Sequence, residues 1–286
     1  MADRTPPGSA WRQSVTALQP QRDGTGSSAV SLPMYDWPEI RDATDSLLRA
    51  IRWQLSERGV EVAGTLDRST PLEALWNDER LILSQTCGYP YANMLASKVA
   101  LVGTPAHAIT GAGPGRYFSV LVAQKSRVPE HLGELCGKRF AYNMQHSQSG
   151  FAAPVRLLAG AGVASLPAPL ETGAHRASIR AVADGEADWA AIDAVTWELA
   201  KRHEPAAVDL VVFATTPETP GLPLITSLSN ADHAGSIADA FEAAIEELDR
   251  RVLEAVLITG LTRFKPVHYA QLATPLPTSQ VFPNLA

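Results

Sequence analysis

Along the chain, short apolar runs alternate with segments whose apolar residues recur every three or four positions. That is the pattern of strands and helices taken in turn. Residues 29–34 (AVSLPM) predict a short buried strand. Asp36 stands three residues before Glu39, with Pro38 between them, which is capping-box spacing for a helix start. Ile40, Ala43, Leu47, Ile51 and Leu55 then form one apolar helical face. Gly59 ends this helix, and residues 60–63 predict the next strand, giving a parallel βαβ unit.

The alternation continues. Residues 71–76 predict a short helix, and residues 80–85, 99–104 and 117–123 predict strands. Residues 111–116 (GAGPGR) read as loop. A second α/β block follows, with a short helix at 132–135, strands at 139–143, 189–192 and 208–214, and helices at 151–159, 175–183 and 195–201. The final stretch predicts a strand at 224–227, one long helix over 237–257, and an extended Pro-rich tail after Pro266. The reading is an α/β protein of discontinuous design. Residues 29–117 with 212–286 make a first lobe, 118–211 an inserted second lobe, and 1–28 a polar, disordered leader.

Composition narrows the function classes. A chain of 286 residues that is 45% hydrophobic and 19% charged is globular and has ample material for a core. No apolar run approaches the length of a membrane span, so direct membrane insertion is not expected. A net charge of -6 argues against nucleic acid as a partner, yet leaves room for a local anion pocket. Two cysteines, Cys87 and Cys136, exclude a disulfide scaffold and are read as buried free thiols. With no HExxH motif and no close His/Cys cluster, no metal is expected, and no cofactor. The first 28 residues lack the apolar stretch of a secretory signal, so the sequence as written predicts a cytoplasmic protein.

Candidate chemistry gathers where strands run into helices. His146-Ser147-Gln148-Ser149-Gly150 lies between a predicted strand and a predicted helix. Helix-start amides, the hydroxyls of Ser147 and Ser149, and the open backbone at Gly150 suit a phosphate, phosphonate or carboxylate. The same text also fits an ordinary Ser-capped helix. His175 sits at another loop-to-helix turn, either as a donor to an anion or as a helix-start histidine. Asp193 ends the apolar strand WAAID, where open α/β sheets place ligand contacts, and it also has the position of an N-cap. Tyr35, Tyr89, Tyr91 and Tyr117 fall at strand ends or in adjacent loops, as cleft walls or as packing between lobes. A Ser147/His175/Asp193 triad lacks a GxSxG elbow, so hydrolysis is the weaker reading. Cys87 as a nucleophile has no local signature.

The ordered set of motifs resembles the phosphonate/phosphate-type substrate-binding proteins of ABC importers. It comprises SLPMYDWPE, SQTCGYPY, RYFSVLV, LCGKRFAYN leading to HSQSG, ETGAHRASIRAVADGEADWAAID and TPETPGLPLIT. The resemblance implies a two-lobed type II periplasmic-binding-protein fold with a hinge and an interlobe cleft. It also implies a non-enzymatic, monomeric protein that captures a small anion and hands it to an ABC permease, in the periplasm if the family's usual role holds. By the same resemblance Tyr35, Tyr89, Tyr117, Ser147, Gln148, Ser149, Gly150, His175 and Asp193 are the expected ligand-binding set. A cytoplasmic sensor of the same fold is the alternative, and an enzyme on this scaffold a more distant one.

Overall fold

The computed structural model describes residues 28–62 and 64–284. The expected leader therefore falls outside the described residues except for Ser28, as does Ala63 of the strand expected at 60–63. Two five-stranded mixed sheets carry the fold. The first runs β1-β2-β11-β3-β12, built from β1 (Ala29–Ser31), β2 (Leu81–Gln85), β3 (Val99–His107), β11 (Leu224–Ser227) and β12 (Ile258–Thr262). The second runs β7-β6-β8-β5-β9, built from β5 (Ser119–Gln124), β6 (Phe140–Tyr142), β7 (Leu170–Glu171), β8 (Trp189–Asp193) and β9 (Leu210–Thr215). Between them β4 (Arg116–Tyr117) pairs antiparallel with β10 (Thr219–Pro220), so the chain's passage out to the second sheet and its return to the first run side by side.

Helix α1 (Arg41–Ser56) explains the position of the first sheet's cleft edge. Its buried face carries Leu47, Leu48, Ile51 and Leu55, which pack with Val30, Leu83 and Leu224 of the sheet and with Phe241 of α5 (Ala234–Glu247). Each such side chain contributes about 1.5–3 kcal/mol by leaving water. β1 and β2 are parallel, as a βαβ unit requires, but the return strand is β2 rather than residues 60–62, which form no strand. Gly59 does end the helix region, with φ 73°. Asp36 is no cap. It pairs with Arg68 and ties the segment after β1 to the loop that leads back toward the sheet.

The second sheet is covered on both faces. Phe140 stacks on Trp189 at 4.1 Å, beneath Val155 and Leu158 of α2 (Ala153–Gly160). Val120, Val122 and Ile192 meet Ile179 and Val182 of α3 (His175–Ala183) and Trp197 of α4 (Ala194–His203) on the other face. With helices on both sides, the strands need no polar alternation, which is why they read as continuous apolar runs.

Three expectations are corrected. The helix expected over 237–257 is two helices, α5 and α6 (Arg250–Val256). Asp249 breaks the run, because its side chain accepts from the Arg251 amide at 2.8 Å and starts a new helix. The tail after Pro266 forms short helices at Pro266–Tyr269, Ala270–Ala273 and Thr278–Val281 instead of extended chain. The lobe boundaries also shift. A return at 212 would cut β9, which pairs with β5 over Leu210 to Thr215, and Val281 and Phe282 pack with Phe140 and Phe151 of the second sheet's core.

Candidate functional site

The carboxyl ends of β1, β2, β6 and β8 face one another across a cleft of about 300 Å³. Open α/β sheets place ligands at such strand ends, because loops and helix starts gather there. Tyr35, Ser147, Ser149, His175 and Asp193 all line the cleft.

Asp193 is the last residue of β8 and the N-cap of α4. Its Oδ1 accepts from the Val195 and Thr196 amides at 2.8 and 3.0 Å. Its Oδ2 accepts from the Tyr35 hydroxyl at 2.9 Å, a contact that joins the segment after β1 to the end of β8 across the cleft. Burial pushes its carboxyl up to about 6, against the opposing pull of these hydrogen bonds. A second bridge lies beside the first. The Arg176 guanidinium meets Glu39 at 2.8 Å and Glu204 at 2.6 Å and lies 4.4 Å from the centre of the Trp37 ring.

The turn after β6 holds the hydroxyls. Ser147 caps it, its Oγ accepting from the Gly150 amide at 2.9 Å, which leaves its O–H free to donate. Ser149 Oγ lies 3.0 Å from His175 Nε2, and the Ser149 carbonyl is fixed by the Ser119 hydroxyl at 2.8 Å. Burial lowers the His175 pKa to about 4, so the ring is neutral at neutral pH. Its Nδ1 has no hydrogen-bond partner; the Ala191 backbone is near but outside good hydrogen-bonding geometry. Gly150 is required by space. A Cβ there would overlap Asn143 Oδ1 and stand 2.8 Å from Asn143 Cγ and 3.0 Å from His175 Cε1.

The remaining expected residues separate. Gln148 and Tyr117 are buried behind the cleft wall rather than in it. The Gln148 amide donates to Cys87 Sγ at 3.2 Å, while its side-chain Oε1 has no partner. The Tyr117 hydroxyl has none either, and burial raises its pKa well above the ordinary tyrosine value. Tyr89 does not line the cleft, and Tyr91 belongs to the core beneath β2. The two cysteines are free, but they are not both buried: Cys87 is half-buried in the cleft wall and Cys136 is exposed.

Sequence reasoning missed Trp37, Trp76, Asn143, Met144 and Arg176, all of which line the cleft. Asn143 follows the end of β6 as Asp193 ends β8, so the strand-end rule that found one could have found the other. Trp76 comes from a separate short helix, Leu72–Trp76, and carries no local signal. Among the described residues, no group of three or more His, Cys, Asp or Glu side chains is placed to hold a metal ion. No helix among them is long and apolar enough to cross a membrane. Chemically, the cleft offers hydroxyl and imidazole donors with no unmatched fixed charge.

A family model described as ABC transporter, phosphonate, periplasmic substrate-binding protein matches residues 30–272. Comparison with curated proteins finds no match. Among solved structures, PhnD1 from Prochlorococcus marinus in complex with methylphosphonate is 18% identical, with TM-score 0.65, covering 87% of this chain and 96% of that one. A binding-protein component of an ABC phosphonate transporter from Pseudomonas aeruginosa is 17% identical, with TM-score 0.64 and coverages of 86% and 84%. A Xanthomonas citri protein, XAC2383 bound to ATP, is 14% identical, with TM-score 0.64 and coverages of 87% and 96%.

Proposed function

Because this chain belongs to the phosphonate-binding family of ABC-transporter periplasmic substrate-binding proteins, we propose that its cleft holds the oxyanion of a phosphonate-like ligand on Ser147, Ser149 and His175. The observation that carries this reading is the Ser149–His175 contact at 3.0 Å inside the cleft. With its proton on Nε2, the neutral imidazole donates into Ser149 Oγ, which turns the serine O–H toward the ligand. Ser147 donates in the same way, since its oxygen already accepts from the Gly150 amide. Neutral donors stabilise an anion by charge-assisted hydrogen bonds without the desolvation cost of a buried cation. The Prochlorococcus relative carries methylphosphonate and the Xanthomonas one ATP, so this fold takes phosphorus oxyanions with very different substituents.

Tyr35–Asp193 and Glu39–Arg176 span the cleft, and the paired β4 and β10 are the connection about which it would open. Closure on a ligand would then present one shape to a membrane permease. Binding without turnover is the reading we prefer. Ser149 and His175 have the spacing of a nucleophile and its base, but His175 Nδ1 has no carboxylate to orient it. Calorimetric titration with methylphosphonate, phosphate and acetate is the test. Saturable binding of a phosphorus oxyanion, recovered unchanged, is expected. A well-folded sample that binds none of them would overturn the reading.

A further inference from the structure

The oxyanion site accounts for only part of the cleft. A volume of about 300 Å³ is the space of roughly ten waters, and a bare tetrahedral oxyanion fills a minority of it. Much of the rest of the wall is apolar or aromatic, with Trp37, Trp76, Met34, Met144, Leu72 and Leu222, although Asn143 and His146 also line it. Met144 lines the cleft with 39% of its surface exposed, so its thioether is open to a ligand there.

The charged side chains in that wall are already matched. Asp36 is held by Arg68, and Arg176 by Glu39 and Glu204. Asp193 accepts two amides and the Tyr35 hydroxyl. A ligand bearing an ammonium or a second anion would have to break one of these pairs to gain an ion pair; apart from them, Asn143 Oδ1 is an unpartnered neutral acceptor in the wall. An uncharged ring would break none, and would meet indole faces and thioethers, which favour aromatic contact.

Resting on the oxyanion reading above, we propose that the natural ligand is a monosubstituted phosphonate or phosphate monoester whose substituent is uncharged and aromatic. Trp76 and Met144 form the subsite for the ring. The indole of Trp76 is held in place by its own donation to the Gln85 carbonyl at 3.3 Å, so the face is presented without rearrangement.

The experiment is a calorimetric series with methylphosphonate, 2-aminoethylphosphonate, phenylphosphonate and phenyl phosphate, on the wild-type chain and on Trp76→Ala and Met144→Ala. Phenylphosphonate or phenyl phosphate is expected to bind about tenfold or more tighter than methylphosphonate, the usual worth of an aromatic face contact. The tighter of the two identifies the linkage, carbon or ester oxygen. In both variants that advantage should shrink severalfold, while methylphosphonate, whose binding reports an intact fold and oxyanion site, still binds and loses less affinity than the phenyl compounds. Equal binding of methyl and phenyl compounds, or preference for the aminoethyl compound, would overturn this inference and leave the oxyanion reading standing. Failure of every compound would overturn both.

Discussion

Gly150→Ala is the sharpest perturbation of the proposed oxyanion turn. The new Cβ would overlap Asn143 Oδ1 and lie 2.8 Å from Asn143 Cγ and 3.0 Å from His175 Cε1. Asn143 is buried, and its Oδ1 has no hydrogen bond to lose, so this side chain gives way first, into the cleft it lines. Overpacking of this kind costs about 1–3 kcal/mol. His175 must also shift, which loosens its contact with Ser149 Oγ. Losing one hydrogen bond to a charged ligand costs about 1.5–3 kcal/mol, or roughly 10- to 150-fold in affinity. Urea denaturation and methylphosphonate titration read the two effects separately. The double variant Gly150→Ala/Asn143→Ala removes the blocking side chain, so it should regain most of the lost stability, a coupling of about 1 kcal/mol or more between adjacent sites. Wild-type stability and affinity in Gly150→Ala, or strictly additive losses in the double variant, would contradict the packing of Asn143 and His175 against Gly150.

Two further outcomes follow from the titratable groups. His107 and His175 are both lowered to about 4 by burial, below an unfolded value of about 6.5. Between those values the unfolded chain binds more protons, so stability falls as pH drops, by about 1.8 kcal/mol per histidine from pH 7 to 5. Asp193, raised to about 6, binds its proton more readily when folded and returns about 1.3 kcal/mol over the same window. The net expected loss is about 2 kcal/mol, and denaturation curves showing equal or higher stability at pH 5 would contradict the burial of the two imidazoles. For the thiols, Cys136 is exposed, whereas Cys87 accepts from the Gln148 amide and burial pushes its pKa up. Because the thiolate is the reactive form, a maleimide should modify Cys136 roughly tenfold faster or more. Mass spectrometry showing equal rates would contradict the placement of Cys87.

Much of this architecture is legible in the residues, for identifiable reasons. The helix at His175–Ala183 follows directly from its apolar spacing, and Asp193 from an apolar strand that ends on a polar residue before a helix. Signals of that kind are local. The break at Asp249 escaped because Leu248 and Val252 keep the same apolar phase on either side of it, so periodicity alone runs through. The Pro-rich tail folds into short helices because Leu272, Val281 and Phe282 find cores far away in sequence. The site divides in the same way. Ser147, Ser149 and His175 announce themselves at strand-to-helix turns, whereas Trp76 and Cys87 reach the cleft only because β2 lies beside β1. Tyr89 fails for a related reason. It shares the motif around Cys87, but of the two only Cys87 lines the cleft.

The proposed site puts a phosphorus oxyanion on the Ser147–Ser149–His175 face of the cleft. A crystal structure of the complex with methylphosphonate tests it most directly. The phosphonyl oxygens are expected within hydrogen-bonding distance of the Ser147 and Ser149 hydroxyls, with the methyl group turned toward Trp76. A phosphonyl group placed among Trp37, Trp76 and Met144, or bound outside the cleft, would contradict it.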